Sequence, residues 1–532
     1  MTEISPAVEL ELTRWVHLEE VPRREDLVDR CARDKVAEAL AHLSNVEAME
    51  VRFVDGDYES PDGLIEGLPE FFEVLLHVHN PGGHVAHVRV WLPLRWNGRF
   101  LGITGTGNRT VPAWNLAPYL RIATSPHGVR NGFATACTDG GNRDEREFTW
   151  ALDEATGEID WDLIENWVHR STREMTIAAK AVVELVYGEP PAFSYLAGSS
   201  GGGRQTLVHA QRYPDDYDGY WASDPAINWT KIDLVQLWPA LVMKELDNAL
   251  PAAKLEAFRA AALSAFAADH GVVDGVIMSS EYQTWDPAQL VGQETPAGAI
   301  TERDAETMRM IWGGPRRRDG RFLWFGFGID TEPWAEWGAM CTKEVDGKLV
   351  PVVQEWGVGW VASWLLRDPT WDWTTLTFEA FEELFDQSTT EYASVDGADA
   401  DLAALRDSGA KLLLTHGMAD EDILSRGTVD YYERVLKHLD GDEDVASWLR
   451  FFLSPGDIHS RILGHGPGLT LASGMAALMA WVEDGIAPDV IPGTAMDKES
   501  GEIILRRPIC RYPQVASYLG GDPTDPASFG EG

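Results

Sequence analysis

Residues 194–204 read SYLAGSSGGGR, a short β-type run that ends in a dense cluster of serine and glycine. Ser194–Ala197 suits a buried strand, and Gln205–Arg212 beyond the glycines is compatible with a helix. Between them stands G-x-S-x-G as Gly198-Ser199-Ser200-Gly201-Gly202, where a strand must turn sharply into a helix. The central residue of such a turn takes a strained backbone conformation, and small neighbours let adjoining chain approach without clash. The helix start also brings the N–H of Gly201 and the positive end of the helix dipole to one spot. The adjacent serines leave two frames, Ser200 in G-x-S-x-G or Ser199 in A-x-S-x-G. A phosphate-cradling loop is a third reading, but the Lys-Ser/Thr ending of a P-loop and the second-strand acid of a dinucleotide site are both missing.

Outward from this turn the chain alternates between β-type and helical patterns. VLLHVHN from Val74 and HVAHVRVWLP from His84 flank Asn80-Pro81-Gly82-Gly83, a hairpin signature, so the sheet should start antiparallel. Further β-type runs are Phe100–Thr104 and Phe133–Thr138, and Trp167–Tyr187 is Pro-free with helical apolar spacing. The pattern returns late: strand-like Lys411–Thr415, helix-like Thr428–Leu439, strand-like Trp448–Leu453 and helix-like Leu471–Trp481. Such alternation predicts a parallel sheet covered by helices. With a strand-to-helix serine turn in its middle, the predicted fold is that of an α/β-hydrolase.

Roughly Thr230–Pro369 has a different texture, an Ala-rich helical stretch followed by irregular Gly- and Trp-rich sequence. The expected organisation is a catalytic domain in two parts, 1–229 and 370–532, around an inserted lid or substrate domain, 230–369. The tryptophans at 312, 324, 334, 337, 356, 360 and 364 either line a pocket for an aromatic substrate or fill the core of a helix-poor module.

With 85 acidic against 44 basic residues, a net charge of -41, the averaged field repels nucleic acid and anionic membrane surfaces. An apolar share of 44% with 10% aromatics indicates a chain that folds throughout. The longest membrane-like run, Met475–Val482, is short and is followed by Glu483 and Asp484. Cys31, Cys137, Cys341 and Cys510 are widely spaced, so no zinc or redox pair is expected, and neither a metal nor another cofactor is called for. The stretch from Met1 to Cys31 has early acids and no apolar core of a signal peptide, which predicts a cytoplasmic protein.

A serine hydroxyl is a weak nucleophile near neutral pH. It needs an imidazole to take its proton and a carboxylate to hold that imidazole in the right tautomer. In the α/β-hydrolase order these follow the serine as acid, then histidine. His416-Gly-Met-Ala-Asp420 follows the strand-like Lys411–Thr415, and Ser454-Pro-Gly-Asp-Ile-His459 follows the strand-like Trp448–Leu453. Asp420 and His459 are therefore the candidate acid and base.

GSSGGGRQTLVHAQRYPDDYDGYWASDPAINW resembles the tannase and feruloyl esterase family, whose motif runs approximately G-C-S-x-G-G-R-Q, then A-Q-R-Y-P and D-G. HGMAD and PGDIHSRILGHGPG resemble the family's H-G-x-x-D and P-G-x-x-H-C segments. The likeness extends to RWNGRF, GFATACTDGG, WVEDGIAPDVI and RPICRYPQV and is loosest over the lid. It implies Ser200 as nucleophile, Asp420 and His459 as its partners, and an aromatic acid such as a hydroxycinnamate or gallate as acyl group. The implied mechanism is two-step acyl transfer, with the oxyanion held by Gly201 N–H and a second donor, Gly107, from Thr104-Gly105-Thr106-Gly107. Acyl transfer to another acceptor, hydrolysis of a lactone or specialised metabolite, and a non-catalytic aromatic-ligand-binding relic are the competing functions.

Two departures from the family stand out. It has cysteines beside the catalytic serine and histidine that form a disulfide, whereas this chain has Ser199 and Ser460. Losing both together fits a reducing compartment, with the two hydroxyls as candidates to replace the covalent tie. The family's calcium loop corresponds to Ala267-Ala-Asp-His270-Gly-Val-Val-Asp274-Gly, where Ala267 and His270 replace carboxylates. Calcium takes six to eight oxygens, so no tight calcium site is expected.

Overall fold

The computed structural model describes residues 24–531 except 115–118, 143–147, 267–273, 280, 283, 333–338, 440 and 498. Seven strands precede residue 230: β1 (Val46–Ser60), β2 (Gly63–His79), β3 (Val85–Pro93), β4 (Arg99–Ile103), β5 (Ala134–Thr138), β6 (Phe193–Ser199) and β7 (Gly219–Ser223). After a separate small hairpin, β8 (Thr342–Val345) with β9 (Lys348–Pro351), the chain returns to the same sheet through β10 (Lys411–Gly417) and β11 (Leu449–Ser454). The order is β1-β2-β3-β5-β4-β6-β7-β10-β11. β1, β2 and β3 are antiparallel, β3 meets β5 antiparallel, and the six from β5 to β11 run parallel.

The β2–β3 hairpin forms around the expected Asn80–Gly83 turn, with Gly82 at φ 72°. β1 and β7 are additions to the sequence reading. The β1 stretch VEAMEVRFVDGDYES is half charged on an outward face, and its alternation shows as burial of Ala48, Val54 and Tyr58.

Central strands are buried on both faces, and side-chain alternation divides them between two cores. Leu412 and Leu414 of β10 point to one core, Leu413 to the other; in β6 Leu196 joins the first and Tyr195 the second. The first core is covered by α1 (Ser171–Tyr187), α2 (Gly201–Arg212) and α3 (Ser425–His438), the second by α4 (Leu471–Asp484). Gly188 and Gly485 end α1 and α4 in the left-handed conformation. The helix expected from Trp167 enters α1 through a π-turn at Asn166–Arg170.

A third apolar cluster lies over the strand ends. It contains Trp312, Trp324, Trp360 and Trp364, all buried, so these four serve as core. The expected Ala-rich helix is Ala252–Phe266, and Trp229–Val235, Trp238–Glu245 and Glu302–Gly313 are helical as well. Its packing continues past residue 369 into the helix Phe378–Glu391, through Phe381, Leu384 and Phe385. Trp334 and Trp337 lie outside the described residues, as do 267–273 of the proposed calcium loop. Among the described residues no helix is long and apolar enough to cross a membrane.

Candidate active site

Four neighbouring parallel strands, β6, β7, β10 and β11, deliver the candidate residues at their C-terminal ends, where open α/β sheets place ligands. Ser200 follows β6 and caps α2 at φ 62°, ψ −129°, a strained region for a residue with a side chain. Its N–H donates to the Ser223 carbonyl at 3.0 Å, and its own carbonyl accepts from Ala226 and Arg204. The glycines explain why the turn can be so tight. A methyl group on Gly198 would run into the Thr104 hydroxyl, on Gly202 into the Gly105 carbonyl, and on Gly201 into the Gly107 carbonyl. The loop after β4 therefore lies directly against the start of α2.

His459 follows β11 and is buried. Its Nδ1 lies 2.7 Å from Asp420 Oδ2, in the loop after β10. Asp420 Oδ1 accepts from the N–H groups of Asp422 and Ile423 at 2.9 and 2.6 Å. A second histidine, His416, also reaches Asp420 Oδ2, at 3.1 Å from its Nε2. It is fixed on its other side by Thr428 Oγ1 at 2.9 Å. The sequence quoted His416 but assigned it no role.

The loops are clamped by buried charge pairs that sequence reasoning did not identify. Arg121 donates to Asp224 at 2.9 Å and to Asp457 at 2.5 Å, joining the turns after β7 and β11. Glu421 accepts the His459 N–H at 3.1 Å and pairs with Arg461. Ser199 Oγ meets Ser460 Oγ at 2.6 Å, and none of the four cysteines is in a disulfide.

Ser200, His459, Gly107 and Ser460 line one cleft of about 620 Å³, walled by Trp229, Ile232, Trp356 and Ile423. Ser199 is fully buried and does not line it. Asp422 enters beside the imidazole, with Oδ2 3.7 Å from His459 Nε2. Burial opposes a charged imidazole, but Asp420, helped by Asp422 and Asp224, outweighs it and lifts His459 to about 9. Burial raises Asp422 to about 6 and Glu421 to about 7. Burial opposes the Asp420 carboxylate too, yet the two histidines hold it well below the usual range.

Among the described residues, Asp224, His416 and Asp420 approach closely enough to hold a cation, with donor atoms within 4.8 Å of one another. Arg121 already neutralises Asp224, and both histidines engage Asp420. Asp274, the described remnant of the proposed calcium loop, pairs with Arg507.

Residues 73–530 match the family described as tannase and feruloyl esterase. The chain belongs to the tannase and feruloyl esterase family. It is a carboxylic ester hydrolase with an α/β-hydrolase-like fold. Within the family it is 36% identical over 456 residues to a probable feruloyl esterase of Arthroderma benhamiae, covering 83% of this chain and 82% of that one. It is 28% identical over 502 residues to a mono(2-hydroxyethyl) terephthalate hydrolase of Piscinibacter sakaiensis, covering 83% and 80%. The fold matches that of a tannin acyl hydrolase from Aspergillus niger at TM-score 0.81, with 22% identity and 95% of each chain covered. Against the family's motif, the free Ser199–Ser460 pair marks this member as a variant without the loop-tying disulfide.

Proposed function

We propose that this esterase cleaves esters of aromatic acids through an acyl-enzyme on Ser200, with His459 as general base and Asp420 orienting it. One observation carries the reading: the strained serine and a histidine held at Nδ1 by a buried carboxylate line the same cleft. Ser200 attacks the ester carbonyl as His459 Nε2 takes its proton, the oxyanion rests on main-chain N–H groups of Gly201 and Gly107, and the alcohol leaves with a proton from His459. Water activated by the same imidazole then releases the acid. Asp420 fixes Nδ1 as the protonated nitrogen, which makes Nε2 the nitrogen that accepts the proton.

Trp229 and Trp356 give the cleft two aromatic walls, and sequence relatives are named for feruloyl and terephthalate esters. Residues 230–369, with Trp356 and β9 beside the cleft, act as the inserted lid that shapes the acyl site. Four cysteines outside any disulfide, with the serine pair, suit a reducing compartment such as the cytoplasm. Labelling with a fluorophosphonate probe tests the nucleophile without knowledge of the substrate: modification is expected at Ser200, and an unreactive protein would overturn the mechanism.

A further inference from the structure

The far wall of the cleft carries an arrangement that acyl transfer leaves unused. Asp233 and Gln236 stand three residues apart at the end of the helix Trp229–Val235, so they share a face, and both line the cleft that holds Ser200 and His459. Asp233 is only 2% exposed and Gln236 4%, yet Asp233 Oδ2 and Gln236 Oε1 have no hydrogen-bond partner among the described residues. The amide nitrogen of Gln236 is already committed, donating to Asp422 Oδ1 at 2.8 Å and to the Asp422 carbonyl at 3.1 Å. That bond fixes the amide so that its oxygen, an acceptor, is the atom left over. Asp422 Oδ2 lies 3.7 Å from His459 Nε2, beyond hydrogen-bond range.

Two buried acceptors are therefore left over in the cleft that Asp422 also lines, and the Asp233 and Asp422 carboxyls repel one another's charge, an effect that the buried Arg204 offsets only in part. Burial, reinforced by Asp422 and Asp396 and opposed by Arg204, holds the Asp233 carboxyl well above its ordinary range. Orphaned buried acceptors are costly, and a site that retains them is built to be completed. A hydroxyl would satisfy one acceptor. A primary ammonium has three donors and a positive charge that relieves the repulsion between the two carboxyls. Arg109 lines the cleft as well, but on the loop after β4 rather than on the helix that carries Asp233.

We propose that Asp233, Gln236 and Asp422 form a subsite for a primary ammonium, so that the preferred esters carry an amine beyond an aromatic or apolar spacer. This rests on the esterase reading of the Ser200 cleft. Asp233 acts here as a specificity-determining residue.

Three shape-matched esters test it: methyl 4-(aminomethyl)benzoate, methyl 4-(hydroxymethyl)benzoate and methyl 4-methylbenzoate, compared near pH 7.5 by kcat/KM. One charge-assisted contact in a buried site corresponds to about a tenfold preference, so the amine should exceed the methyl ester by roughly that factor or more. In Asp233→Asn the ratio should fall towards unity; because the ratio is taken within each variant, any general loss of activity cancels. Equal rates for the three esters, a preference for the hydroxymethyl ester, or an amine preference that survives Asp233→Asn would each overturn the subsite. If Ser200 proves unreactive and none of the esters turns over, the mechanism fails separately. Calorimetric binding of benzylamine then decides the subsite: tighter binding than benzyl alcohol, weakened by Asp233→Asn, is expected, and no difference between the two ligands would overturn it.

Discussion

The hydroxyls of Ser199 and Ser460 meet at 2.6 Å across 261 residues of chain, tying the immediate neighbour of Ser200 to that of His459. Where the family has a covalent bridge this protein has a hydrogen bond, so the loops after β6 and β11 remain linked without an oxidising environment. Such a bond contributes about 1 kcal/mol, against about 2–4 for a disulfide, and the remaining order comes from the Arg121 and Glu421 clamps. Ser199→Cys with Ser460→Cys should therefore form a disulfide under oxidation and raise Tm by several degrees, reverting on reduction. The wild type should be indifferent to reductant. A thiol count that stays unchanged after oxidation, with no shift in Tm, would contradict the proximity of the two loops.

The two serines should separate cleanly by mutation. Ser200→Ala should lower kcat by about a millionfold, because the covalent step is lost. Ser199→Ala removes a buried hydrogen bond and should leave more than about a tenth of the activity, with Tm lowered slightly. Probe labelling transferred to Ser199, or equal losses in both variants, would show that the other frame carries the nucleophile.

Activity should rise with pH. His459 is held near 9, so below that value it mostly carries a proton and cannot accept the one from Ser200. The profile of kcat/KM should climb through neutrality and level off above about 9. Asp422 contributes negative charge next to Nε2 and, lifted by burial to about 6, is ionised over most of that range. Asp422→Asn should thus move the midpoint downward. An upward or absent shift in the fitted midpoint would rule out its control of the base. The same coupling has a stability consequence with a definite sign. A raised histidine adds stability that is complete below its unfolded value of about 6.5 and disappears as pH rises through about 9.

Chelation should leave Tm unchanged. Asp274, where the family's calcium loop would need carboxylate oxygens, is engaged by Arg507, and Ala267 and His270 offer no carboxylate. A calorimetric scan with a calcium chelator measures this directly. A fall in Tm reversed by calcium and not by magnesium would establish a site completed by other residues.

Gly201→Ala should be among the most damaging single-atom changes near the cleft. The added methyl meets the Gly107 main-chain carbonyl, which cannot rotate away as a side chain could. A loss of at least about 3 kcal/mol in urea unfolding is expected. Unfolding that matches the wild type would show that the loop after β4 does not pack on α2.

The strand-to-helix serine turn, the order Ser200, Asp420, His459 and the alternation of patterns were legible in one dimension because local geometry imposes them. A turn this tight demands glycine, and a strand buried on both faces demands an unbroken apolar run. β1 escaped notice because an edge strand with one wet face carries charges that dilute its alternation. Beyond its Ala-rich helix the lid read as irregular, because Trp and Gly lower helical periodicity without preventing short helices that are stabilised by packing. By itself, then, the sequence indicated most of the sheet, the elbow and three candidate residues at strand ends. Only the tertiary structure decided their surroundings. His416 and His459 share Asp420, Arg121 joins Asp224 to Asp457, and Asp233 faces the nucleophile's cleft because residues far apart in the chain are brought together by packing. No periodicity or motif encodes a distance between such residues, and the buried charges at those contacts set both the base's protonation and the character of the cleft.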